Sequence, residues 1–180
     1  EPEIYNFKIL KSFAEYTERE GIRNFPIHLK IDTGMHRLGF EPKDVDALIE
    51  FLKNNKSLKV ESAFSHLVAS EDPAEDEFTL KQINTFKAVT DELETKLNTK
   101  FLRHILNTSG VQRFPEYQMD MVRMGIGLYG IGIDKNSPIR PVATLKTRIL
   151  QIKELTAEDT VGYNRRGRLN KNATIAAIPI

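Results

Sequence analysis

Pro26 to Phe40 reads Pro-Ile-His-Leu-Lys-Ile-Asp-Thr-Gly-Met-His-Arg-Leu-Gly-Phe, and Lys30, Asp32 and Arg37 within it could do chemistry together. An apolar-biased run, Ile27 to Ile31, stops at Asp32-Thr33-Gly34 and gives way to a polar loop. In parallel α/β folds, ligand chemistry sits at that end of a strand. Lys30 and Arg37 lie within one turn of chain of each other and suit an anion, either a carboxylate or a phenolate oxygen. The planar fork of Arg37 would bind a carboxylate bidentately and stay charged at any working pH. An ordinary solvated βα loop would use the same residue types, so both readings stand on this loop alone.

Two more clusters could contribute. Ser65-His66-Leu67 ends an apolar stretch, where His66 is either a structural histidine or a ligand contact. Ser65 is a poor nucleophile candidate, because no Gly-x-Ser-x-Gly elbow surrounds it. Asn107-Thr108-Ser109-Gly110 follows another strand pattern and is paired with the run Met121-Val122-Arg123-Met124-Gly125-Ile126-Gly127. Small hydroxylated residues and glycines after a strand expose backbone N–H groups to phosphate, and a plain turn is the alternative.

These residues need elements to position them. Residues 3–19 carry Phe7, Leu10, Phe13 and Tyr16 at helical spacing, and a strand at 27–32 follows. Pro42 opens a second helix with Val45, Leu48, Ile49 and Leu52 on one face. Val60–Leu67 reads as a strand, and Asp72-Pro73 starts a helix over 74–97 with Leu80, Ile83, Phe86, Leu93 and Leu97 inward. Phe101–Leu106 reads as a third strand, and Met121–Ile133 as a buried parallel one. Beyond the polar loop at Asp134–Pro141, Val142–Leu155 and Ala173–Ile180 read as strands with no helix between them. The expected fold class is α/β, with about half of a (β/α)8 barrel over 1–137 and the beginning of an all-β domain over 138–180.

Composition narrows the class. Forty per cent hydrophobic and 28% charged residues fit a soluble globular chain, and 26 basic against 25 acidic residues leave a net charge of +1. That balance gives no reason to expect nucleic acid or an anionic membrane as partner. No run approaches the roughly 20 apolar residues of a membrane span. The absence of cysteine excludes disulfides, thiolate catalysis and cysteine-ligated metals, and a cytoplasmic location is expected.

The segments together resemble the alanine racemases, enzymes dependent on pyridoxal 5'-phosphate (PLP). Lys30 to Gly39 is similar to their Lys-x-Asp-Thr-Gly-Met-x-Arg-Leu-Gly segment, and Arg113-Phe-Pro and Met121 to Gly130 match as well. The resemblance implies the second half of a TIM-type barrel followed by the start of a C-terminal β domain. It implies that Arg37 contacts the cofactor phenolate and the substrate carboxylate, and that Lys30 is carbamylated and holds Arg37. It implies His66 beside the cofactor ring, hydrogen-bonded to Arg123, with Arg123 facing the pyridine nitrogen. Asn107, Thr108, Gly125 and Ile126 would serve the cofactor, Thr108 and the backbone of Gly125 and Ile126 holding its phosphate. Thr108 stands where Ser is usual, and His36 where Gly is usual.

By the same resemblance, two-base racemisation needs a Schiff-base lysine in a Lys-x-Asn-Ala-Tyr-Gly segment, which these 180 residues do not contain. It also needs a tyrosine from the partner subunit, expected downstream of Ile180; Tyr163 is not promoted to that role. No catalytic residue is therefore expected in the chain, which reads as an inactive piece of a longer homodimeric enzyme that supplies D-alanine for peptidoglycan. As a half barrel with uncovered edges, it is expected to be oligomeric or partly disordered by itself. The rival readings are a non-catalytic PLP-binding barrel, a decarboxylase of the same barrel type, and the racemase portion of a fusion with a muramyl-peptide ligase. The decarboxylase lacks support because its glycine-rich phosphate loops and catalytic cysteine are absent.

Overall fold

Glu3–Ile4 form a short first strand, β1, and Asn6 starts the first helix, α1 (Phe7–Arg19). The expected helix start at residue 3 is thus corrected. The Asn6 side chain accepts from the Ile9 N–H at 2.9 Å, a cap that competes with helix continuing upstream. This computed structural model describes residues 1–132 and 137–180 and divides into two units, Glu1–Val142 and Ala143–Ile180.

In the first unit, β2 (Phe25–Lys30) leads through a loop to a 3-10 turn at Pro42–Asp44 and α2 (Val45–Asn54). Val45, Leu48, Ile49 and Leu52 are buried as their spacing requires. β3 (Leu58–Phe64) is followed by a 3-10 turn at Pro73–Glu75, capped by Asp72, and then α3 (Asp76–Leu97). β4 (Leu102–His104) and a short helix, α4 (Thr108–Arg113), follow. Among the described residues, no helix is long and apolar enough to cross a membrane.

The four strands form one parallel sheet in the order β1-β2-β3-β4. One face carries Ile27, Leu29, Ile31 and Ala63 into a core that includes Leu10, Leu48, Ile83 and Phe86. The register slips by one residue between Ile27, which faces Val60, and His28, which faces Ser62. Since a one-residue slip exchanges the faces of a strand, Ser62 and Phe64 come to share a face with His28 and Lys30. Lys30, Phe64 and His104 stand opposite one another across three strands. That row becomes the floor of the site.

Over its described residues, 121–132, the buried strand expected at Met121–Ile133 does not form. Ile126–Tyr129 is a 3-10 turn ended by Gly130 in the left-handed region, and Ile126, Leu128 and Tyr129 are exposed. Three glycines at 125, 127 and 130 weaken any strand there. The chain just before them still runs beside β4, with the Asp120 N–H on the Arg103 carbonyl (3.2 Å) and the Arg123 N–H on the Leu106 carbonyl (3.0 Å). Ile133 and the first part of the expected loop at 134–141 lie outside the described residues.

The second unit pairs β5 (Gln151–Leu155) antiparallel with β8 (Ala173–Ala177), and β6 (Thr160–Val161) with β7 (Gly167–Arg168). The strand expected over Val142–Leu155 is therefore shorter, and β8 likewise stops short of Ile180. The ladder closes at the bond from the Leu150 N–H to the Ala177 carbonyl (2.8 Å), and Pro179 beyond it has no N–H to donate.

Candidate functional site

The loop after β2 is closed on itself. The Asp32 N–H donates to the Phe40 carbonyl (2.8 Å) and the Phe40 N–H to the Lys30 carbonyl (2.9 Å). Asp32 turns inward: its Oδ1 accepts from the N–H groups of Gly34 (2.9 Å) and His36 (3.1 Å). These bonds give the loop one defined shape, with His36, Arg37 and Leu38 at the surface. Thr33 and Ser65 share a hydroxyl–hydroxyl bond of 2.8 Å, which ties this loop to the end of β3. His36 has φ +52°, a left-handed conformation that glycine adopts without cost and histidine tolerates better than most. Its imidazole is exposed, as is Arg37.

The floor is built around Phe64. The Lys30 Nζ sits 4.5 Å from its ring centroid and the Arg123 guanidinium 5.1 Å, while the His104 ring stacks on it at 5.1 Å and 5°. Arg123 is fixed by hydrogen bonds: Nη1 donates to His104 Nδ1 (2.5 Å) and to the His104 carbonyl (3.1 Å), Nη2 to the carbonyls of Ser65 and Ile105. Among the described residues its Nε–H donates to no group. Burial, aided by Arg123 and Arg37 and opposed by Glu3 and Asp32, holds the Lys30 amine below its ordinary value. Burial and then the cations Arg123, Lys30 and Arg37 lower the His66 imidazole in the same way. For His104, burial and Arg123 together bring the imidazole down to about 4. Several positive groups that depress one another make a place for an anion.

His66 does not make the hydrogen bond to Arg123 that was expected of it. It is half-buried just beyond β3, and its carbonyl accepts from Gln82 Nε2 (3.1 Å). The imidazole bonded to Arg123 is His104, which reading the residues one segment at a time passed over. The available signal was that His104 ends a strand three residues before Asn107, but which strand it lies against is not written in the sequence.

Beside the floor, Thr108 Oγ1 accepts from the N–H groups of Gly125 and Gly127, each at 3.1 Å. A Cβ on Gly127 would stand 2.7 Å from Thr108 Cγ2 and from Met124 Cε, so the chain passes close here because the residue is glycine. Gly125 was expected in this cluster, and Gly127 is a further backbone donor in it that the sequence did not single out. Asn107 has a structural role: its Oδ1 accepts from the Gly110 N–H and from Ser70 Oγ, both at 2.8 Å. Arg113 latches α4 to α3 through Asp76 (2.7 Å). A hydroxyl on which two backbone N–H groups converge, on the segment that follows Arg123, suits an anionic oxygen such as that of a phosphate. Thr108→Ala is expected to weaken PLP binding by the full-length protein roughly 5- to 10-fold, while Thr108→Ser keeps it, as read by absorbance titration.

Residues 1–132 match the family described as alanine racemase, N-terminal domain, and residues 142–180 match alanine racemase, C-terminal domain. The chain is 39% identical over 158 residues to the alanine racemase of Fusobacterium nucleatum, covering 86% of this chain and 43% of that one. It is 33% identical over 184 residues to the alanine racemase of Desulforamulus reducens, covering 98% and 49%. Among solved structures, alanine racemase from Clostridium difficile 630 superposes with TM-score 0.75 at 26% identity, over 99% of this chain and 47% of that one. The Bartonella henselae alanine racemase, crystallised with covalently bound pyridoxal phosphate, gives TM-score 0.78 at 23% identity, over 99% and 48%. The chain spans about half the length of the relatives it matches. Their common architecture is a TIM barrel followed by a C-terminal β domain, and this chain, α/β with a parallel sheet, carries part of both.

Proposed function

The chain belongs to the alanine racemase family, whose cofactor is PLP, and from that premise we propose that the full-length protein interconverts L- and D-alanine by two-base proton transfer. The observation that carries this reading is Arg123, a half-buried guanidinium whose fork is engaged by His104 and by backbone carbonyls, leaving its Nε–H for a ligand. PLP, when bound, acidifies the Cα–H of the amino acid. Arg123 can only donate, so a pyridine nitrogen held against it would stay unprotonated. That would limit how far charge spreads into the ring and favour return of the proton to Cα over transamination.

In this reading the other residues divide the ligand among them. Arg37 takes the substrate carboxylate and the cofactor phenolate; Thr108 with the backbone of Gly125 and Ile126 takes the phosphate; His66 stands beside the ring. Lys30 is carbamylated: its uncharged Nζ attacks carbon dioxide, an N–C bond forms, the electrons of one C=O bond move to oxygen, and nitrogen loses a proton. The depressed basicity of Lys30 increases the uncharged amine that this needs. The resulting carbamate attracts Arg37, where a bare ammonium would repel it. In 13C-bicarbonate, the full-length protein is expected to show a carbamate carbonyl resonance that Lys30→Ala lacks. Its absence would remove this role.

The reading includes a homodimer, a cytoplasmic location and supply of D-alanine for peptidoglycan, with residues 1–137 as part of the cofactor barrel and 138–180 as the opening of the β domain. The 180 residues contain no Lys-x-Asn-Ala-Tyr-Gly segment to carry the cofactor, so turnover is assigned to the full-length product. The test is D-alanine formation from L-alanine with added PLP, on this chain and on the full-length product side by side. Activity in the full-length product alone is expected. Activity in neither would favour a non-catalytic PLP-binding relative, and activity in the 180-residue chain would overturn the assignment of turnover.

A further inference from the structure

A second row of polar side chains lies beneath the floor. His104 Nε2 is 3.3 Å from Ser62 Oγ, Ser62 Oγ is 2.7 Å from His28 Nδ1, and His28 Nε2 is 2.8 Å from the Glu1 carboxylate. With Arg123 on His104 Nδ1, five side chains on separate segments form one hydrogen-bonded line from the ligand side of the sheet to its surface. Ser62 is 1% exposed and His104 5%, so water does not replace these partners. The slip between β2 and β3 is what places Ser62 opposite His28 and leaves Phe64 opposite Lys30.

The line has a direction, set from its Arg123 end. Arginine has no acceptor, so His104 Nδ1 must accept from Arg123, and neutral His104 carries its proton on Nε2. That proton is donated to Ser62 Oγ. The Ser62 hydroxyl is then turned to donate to His28 Nδ1, which leaves the His28 proton on Nε2, facing the carboxylate of Glu1. Each donor points away from Arg123 and towards an anion, so neighbouring bonds polarise one another in the same sense. We propose that Ser62 and His28 are positioning residues that act through His104 to hold the Arg123 fork in its orientation towards the ligand. The geometry stands without the functional reading, while its effect on turnover rests on that reading.

The test uses the full-length protein labelled with 15N-histidine, resonances being assigned from His28→Asn and His104→Asn. Both His104 and His28 are expected as the Nε2–H tautomer, with an unprotonated, hydrogen-bonded Nδ1. Ser62→Ala is expected to move the His104 Nδ1 resonance and, in the PLP-loaded enzyme, to lower kcat roughly 3- to 10-fold with KM unmoved. Ser62→Thr, which keeps the hydroxyl, is expected to restore both. An Nδ1–H tautomer at either histidine would overturn the relay. So would a Ser62→Ala protein whose His104 resonance stays in place, or an active one whose kcat is unchanged. A protein that lacks racemase activity altogether would sink the functional reading and still leave the tautomers to decide the relay.

Discussion

Gly39→Ala is expected to destabilise the protein by about 2 to 4 kcal/mol, far more than the same substitution at Gly21. Gly39 has φ +134°, and a Cβ there would stand 2.5 Å from the Asp32 nitrogen and 2.8 Å from the Ile31 carbonyl carbon. Both are backbone atoms that cannot swing aside. The chain must either keep the clash or open the loop, losing the two bonds that join Asp32 and Phe40 to each other and to Lys30. Opening the loop also exposes Phe40, which is buried and meets Phe7 edge-on at 5.1 Å, a burial worth roughly 1.5 to 3 kcal/mol. Gly21, at φ +67° with nothing within 4 Å, pays only for its backbone conformation, about 1 kcal/mol. Denaturant titration of the two variants measures the difference. Equal losses would mean that the closed loop, and with it the placing of Asp32 and Arg37, is not as described.

Acidification from pH 6.5 to pH 4 is expected to remove about 3 kcal/mol of stability through His104 alone. Its imidazole titrates near 6.5 in the unfolded chain and at about 4 in the fold, because burial and then Arg123 oppose its charge, with His28 and Lys30 adding to them and Asp120 opposing. Between those values the unfolded state binds the extra proton. Stability is therefore fully present above pH 6.5, falls as pH drops towards 4, and changes no further below the folded value. Protonation would also place a donor on Nδ1, facing an arginine that has only donors. His104→Gln is expected to flatten this slope, and because His66 titrates in the same direction, the difference between the two proteins isolates His104. Equal slopes from denaturant titrations across that range would show that His104 is not buried against Arg123.

Lys30, Arg37, Thr108 and Arg123 could be picked out of the sequence because each sits in a short local pattern: a strand stopping at Asp-Thr-Gly, a hydroxyl opening a helix, an arginine before glycines. The alternation of strands and helices up to Leu106 was equally legible, since periods of two and 3.6 residues are local. His104 was not, because its importance comes from lying opposite Phe64 and next to Arg123, which are remote in the chain. Met121–Ile133 misled because apolar content resembles a buried strand, while the glycines that bend it at Ile126–Tyr129 decide its path. The sequence by itself determined the family, the parallel α/β character and the residue types offered to an anion. The tertiary structure alone decided the register that lines up Lys30, Phe64 and His104, and the line of donors through Ser62 and His28. Strand register is a non-local choice: one slip between Ile27 and His28 changes which side chains meet, and no local pattern records it.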